Sequence, residues 1–121
     1  MHAEIYEVTV LSPGLLPVPE PLRQRLRLCP GDILSVELLE ACLRMEIYNE
    51  VLAARWDTRV PFHFFIRQFL ERPLVAFDGQ GCVQFPDDLF ALRSGERIVL
   101  NRNAQGGCNQ IFLFRREELL R

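Results

Sequence analysis

The chain repeats itself. Residues 11–23, LSPGLLPVPEPLR, align with residues 78–90, DGQGCVQFPDDLF, so that Gly14 falls on Gly81, Pro19 on Pro86, Glu20 on Asp87 and Leu22 on Leu89. Each stretch continues into a Leu-containing turn and a Gly–acid pair, Gly31-Asp32 and Gly95-Glu96. An apolar strand follows, Ile33 to Val36 in one copy and Ile98 to Leu100 in the other. In this alignment Cys42 falls on Cys108, and closing strands run from Leu43 to Tyr48 and from Ile111 to Phe114. A unit this short cannot bury its own apolar face. The two copies must share a core or complete it with another chain.

Each copy has a physical reading as strand, helix and hairpin. Gly14 and Gly81 suit a tight turn that needs positive φ. The short alternating run after each glycine ends before or at proline, as an edge strand does. Pro19 and Pro21, or Pro86 with Asp87 and Asp88, fit a helix N-terminus: proline presets φ and acids face the positive end. The expected helices are brief, carrying Leu22, Leu26 and Leu28 in copy one and Leu89 and Leu92 in copy two, with Pro30-Gly31 and Ser94-Gly95 as stops. The run NRNAQGGCN, residues 101–109, is an Asn- and Gly-rich hairpin connection.

Between the copies the pattern is helical. Phe62, Phe65, Ile66, Phe69 and Leu70 recur at helical spacing and define an apolar stripe. His63, Arg67 and Glu71 line the opposite side, and Pro73 ends the helix. The organisation expected is a first repeat over 1–48, a helical linker over 49–73 and a second repeat over 74–121, forming one compact domain.

Composition narrows the function classes. The chain has 121 residues, 49% hydrophobic and 25% charged, which is globular, and a net charge of −2, which gives no global basic field. All 14 basic residues are arginine, a skew that reads first as codon usage in a GC-rich genome and alternatively as a preference for bidentate phosphate contacts. No stretch approaches the roughly 20 apolar residues of a membrane-spanning helix, and the beginning MHAEIYEVTV has no signal-peptide pattern. The expected setting is cytoplasmic, without a membrane partner, with Cys29, Cys42, Cys82 and Cys108 reduced. No C-x-x-C pair, Walker spacing or nucleophile–base pair occurs, so the sequence implies no metal, no cofactor and no catalytic site.

The run from Asp78 to Leu89, D-G-Q-G-C-V-Q-F-P-D-D-L, resembles the D-x-x-G-R-h-x-h-P-x-x-L signature of the MraZ family, within the AbrB-like swapped-hairpin group. Arg67 resembles the arginine on the helix before that family's second signature. The runs C-L-R-M-E-I-Y from Cys42 and C-N-Q-I-F-L-F from Cys108 resemble its closing strands. This likeness implies an α+β, mainly β fold, with tandem strand–helix–hairpin units forming a double-ψ-like barrel core with linker helices. It also implies assembly into a homodimer or ring, and repression of transcription through double-stranded DNA. The chain departs from the pattern at Cys82 and Leu15, where the resemblance expects a loop arginine, and at Phe90, where it expects a basic helix start.

The remaining candidate DNA contacts are Arg23, Arg25 and Arg27, with Arg23 and Arg27 on one helical face and Arg25 to the side, and the turn residues Gln80, Gly81 and Gln84. Asp78, Asp87 and Asp88 read as turn and helix caps. The function expected is an oligomeric DNA-binding regulator. The alternative is a relative that keeps the scaffold, has lost DNA and binds another protein.

Overall fold

Alternation of side chains decides which face of each strand is buried. In β1 (Glu4–Thr9), Glu4, Tyr6 and Val8 are half-buried while Ile5, Glu7 and Thr9 are exposed, the two-residue period of a strand packed on one face. The computed structural model describes residues 4–40, 42–47, 67, 69–105 and 108–119. After β1 come β2 (Leu15–Pro17), α1 (Glu20–Leu26), β3 (Ile33–Leu38) and β4 (Leu43–Ile47). Then follow β5 (Leu74–Ala76), β6 (Cys82–Gln84), β7 (Arg97–Gln105), β8 (Cys108–Arg115) and α2 (Arg116–Leu119). The protein is mainly β. Most expected linker-helix positions, His63 among them, lie outside the described residues.

The strands form one six-stranded antiparallel sheet, in the order β1-β7-β8-β4-β3-β5, and a separate two-stranded ribbon of β2 with β6. The pairing is reciprocal. β1 of the first half pairs with β7 of the second, and β5 of the second pairs with β3 of the first. The correspondence extends to individual pairs: Val8↔Ile98 and Thr9↔Arg97 in one ladder match Val75↔Leu34 and Ala76↔Ile33 in the other. The loop bonds match too. Gly31 N–H donates to Phe77 O at 2.8 Å and Gly95 N–H to Val10 O at 2.8 Å, while Phe77 N–H returns to Asp32 O at 2.9 Å and Val10 N–H to Glu96 O at 2.8 Å.

The expected double-ψ-like barrel is not closed. β1 and β5 remain the two margins of the sheet. Each margin strand leads through a glycine turn into a ribbon strand, and the two ribbon strands pair with each other. The hydrogen-bonded ladder therefore stays open while side chains cover its inner face. Leu16, Leu22, Leu26 and Val83 from the ribbon and α1 join Leu34, Ile98, Ile111 and Leu113 from the sheet in one core, all 0–1% exposed. Burying each such aliphatic side chain contributes about 1.5–3 kcal/mol.

Several local expectations are corrected. α1 ends at Leu26, before Pro30-Gly31, because Arg27 takes a left-handed conformation (φ 54°) and its N–H caps Arg23 O and Gln24 O. Leu28 therefore lies outside the helix. The second copy has no counterpart of α1: after Pro86 the chain makes one turn, in which the N–H groups of Leu89 and Phe90 both reach Pro86 O. Cys42 and Cys108 do not correspond. Leu34↔Ile47 in one hairpin matches Ile98↔Arg115 in the other, so Leu38↔Leu43 matches Arg102↔Ile111. The second hairpin continues through Asn103↔Gln110, Ala104↔Asn109 and Gln105↔Cys108, which places Cys108 at its tip. In the linker stripe, Phe69 is buried but Leu70 is 61% exposed. Arg72, just after that helical turn, bonds Glu46 at 2.7 Å on the outer face of the sheet. There Glu37 and Arg44 also form an ion pair across β3 and β4.

Candidate nucleic-acid interface

The sharpest local constraints lie at the two glycine turns. Gly14 has φ +79° and Gly81 φ +86°, a region L-residues rarely enter. Gly14 O accepts Phe85 N–H at 2.8 Å and Gly81 O accepts Val18 N–H at 2.9 Å, so each turn clasps the strand leaving the other. Asp78 braces the second turn, with Oδ1 accepting Gln80 N–H at 2.8 Å and Cys82 N–H at 2.9 Å. This is the capping role expected of an aspartate there.

Arg23 reaches this turn from the first half. A Cβ on Gly81 would stand 2.9 Å from Arg23 Nη1 and 3.1 Å from its Cζ, so the guanidinium packs where only glycine leaves room. α1 supports it from below through Leu22 and Leu26, both 0% exposed and one helical turn apart. Arg23 Nε is buried and makes no hydrogen bond, and no carboxylate among the described residues pairs with Arg23. Beneath it, burial and then the Asp78 carboxylate push the Cys82 thiol up, and the charge of Arg23 pulls it part of the way back. Outward, Arg23 and Arg27 border an open depression of about 610 Å³, shared with Glu20, Gln24, Leu28 and Cys29.

The six candidate residues separate into two sets. Arg23, Arg27, Gly81 and the exposed Gln80 belong to this corner. Arg25 turns aside, its Nε 3.1 Å from Glu4 Oε1. Gln84 is committed elsewhere: its Nε2 donates to Pro13 O at 3.2 Å, bracing the opposite glycine turn. Sequence reasoning missed Glu4 and Arg102, which meet at 2.8 Å and join β1, β7 and Arg25 of α1 in one ionic cluster. Their signal was an acid in β1 and an arginine in β7, legible only once the register sets Glu4 opposite Arg102.

The matching corner of the second half is filled differently. Phe85 O and Gln84 Nε2 are what a Cβ on Gly14 would meet, at 2.5 and 2.6 Å. Phe90, the residue aligned with Arg23, packs edge-on against Phe85 at 6.5 Å, with the Arg115 guanidinium 4.6 Å from its ring centre. Arg115 also pairs with Glu96 and donates to Ala91 O at 2.9 Å. No family model, curated protein or solved structure matches the chain.

Proposed function

We propose that this chain is an oligomeric DNA-binding regulator of the AbrB/MraZ type, derived by tandem duplication of a strand–helix–hairpin unit. The observation that carries the reading is Arg23. It is an arginine without a carboxylate partner among the described residues, seated over Gly81 and facing a depression shared with Arg27. A guanidinium held this way is prepared for a phosphate oxygen, which pairs with its fork as a carboxylate does. Reciprocal pairing of the halves supports the duplication. Exposed apolar side chains, among them Ile5 (68%), Leu70 (61%) and Leu74 (42%), supply surface for self-association.

Binding of labelled duplex DNA across a salt series tests this. Arg23→Ala is expected to weaken binding and lower the slope of log affinity against log salt by about one. Absence of binding by the wild-type chain at low salt overturns the reading.

The alternative is the same scaffold serving as an oligomeric protein-interaction module. It is favoured by the engagement of Arg25 with Glu4 and of Gln84 with Pro13, and by Phe90 at the second corner. It requires stable oligomers by light scattering together with no affinity for duplex DNA.

A further inference from the structure

Glu4 of β1 forms an ion pair with Arg25 of α1. Its carboxylate is divided between two partners: Oε2 lies 2.8 Å from Arg102 Nη1 and Oε1 lies 3.1 Å from Arg25 Nε. The partners are unequal. The side chains of Arg102 and Glu4 are 12% and 14% exposed and face each other across the β1–β7 ladder, whereas Arg25 is 63% exposed at the end of a short helix. The Glu4–Arg102 pair is fixed by the sheet. The Glu4–Arg25 contact is an exposed ion pair of the kind that contributes little and breaks readily.

We propose that Glu4 is an intramolecular stand-in for a nucleic-acid phosphate at Arg25. In the free protein it is the anion that Arg25 meets. When duplex DNA docks on the α1 face, a backbone phosphate replaces Glu4 at Arg25, while Arg102 keeps the Glu4 carboxylate in place. Phosphate and carboxylate oxygens offer an arginine equivalent acceptors, so Arg25 exchanges one anion for another without rebuilding the site. Glu4 therefore lowers the affinity for DNA by the strength of one exposed ion pair and sets how much Arg25 contributes. This inference rests on the reading that the α1 face binds DNA.

A double-mutant cycle on the full chain tests it, with labelled duplex DNA as the probe. Glu4→Gln is expected to tighten binding by roughly two- to fivefold, the fold-change equivalent of one exposed pair. In an Arg25→Gln background the same change at position 4 is expected to leave affinity unaltered. Equal tightening in both backgrounds overturns the proposal, because a general gain of positive charge then explains it. No tightening in either background overturns it as well. If no variant binds DNA at low salt, the DNA reading itself fails, an outcome distinct from binding without coupling. Arg25→Gln alone leaves Glu4–Arg102 intact, so it serves where Glu4→Gln disturbs folding. It is expected to weaken binding, and unchanged affinity in this variant overturns the proposal.

Discussion

The two halves share glycine turns and reciprocal ladders, but only the first carries a helix beside them, and their arginines are used in opposite ways. In the first, Arg23 lies over Gly81 with its Nε unbonded, and the hairpin position that could pair Asp32 with a base is Ile47. In the second half the residue aligned with Arg23 is Phe90, Arg115 occupies the register position of Ile47, and Arg115 is engaged by Glu96, by Ala91 O and by the Phe90 ring. The acids also differ. Asp32 Oδ2 accepts Cys29 N–H at 2.9 Å and Glu96 Oε1 accepts Arg93 N–H at 3.1 Å, but of these two acids Glu96, 8% exposed, is the one with an arginine ion pair as well. One half thus holds an arginine that borders an open depression, and the other an arginine consumed in holding the fold. Arginine content alone therefore does not locate a binding face; the partners of each arginine do.

This comparison can be broken or sharpened by substitution. The largest effects belong to the matched core positions. Leu34→Ala and Ile98→Ala remove matched side chains that are both 0% exposed, and each is expected to cost about 2–5 kcal/mol in urea unfolding. A near-silent result at one of them breaks the equivalence of the halves. Next comes the contrast between the arginines. Arg115→Met leaves the buried Glu96 carboxylate with Arg93 as its remaining positive neighbour and is expected to cost about 3 kcal/mol, whereas Arg23→Met stays within about 0.5 kcal/mol of wild type. Equal losses would show that Arg23 is structural after all.

The glycines follow. A Cβ at Gly14 meets Phe85 O at 2.5 Å, a backbone atom that cannot yield, while one at Gly81 meets the flexible end of Arg23. Gly14→Ala is expected to cost about 2 kcal/mol or more and Gly81→Ala about 1 kcal/mol, mostly from positive φ, by thermal melting. The smallest effect is acid sensitivity. Burial pushes the Glu96 carboxyl up, but the Arg115 hydrogen bond, the Arg93 amide and the two positive charges outweigh it, and the group sits below its ordinary value of 4.5. The unfolded chain therefore binds more protons in that range, and stability present above pH 4.5 is lost as pH falls through the depressed native value. Glu96→Gln should flatten this part of the stability profile, and an unchanged profile would assign the acid response to other carboxylates.

What was legible in the sequence was local. Gly14, Gly81, Pro19 and Pro86 fix backbone geometry within a few residues, so their turns and the start of α1 could be read directly. Hairpin register was not legible, because it depends on connection length. That is why Cys42 and Cys108 look equivalent in the alignment and are not. The second helix failed because Pro86 and two aspartates open a turn that no apolar periodicity continues. At the site, Arg23 and Arg27 border one depression although Arg27 lies past the helix end and not on the helical face its spacing implied, and the partners of Arg25 and Gln84 come from β1 and the opposite turn. Such pairings are set by tertiary contact and leave no mark in the local pattern.

Reciprocal pairing also dictates when the chain can fold. Glu4 and Arg102 are 98 positions apart, so the ladder that secures β1 closes one of the longest loops in the molecule. During synthesis β1 leaves the ribosome without its partner, and at about 5–20 residues per second β7 follows on the order of 5–20 s later. Through that interval the first half exposes apolar side chains destined for a core it cannot complete. The same ladders are satisfied geometrically if the second half arrives from another chain, which is the condition under which element exchange between chains arises.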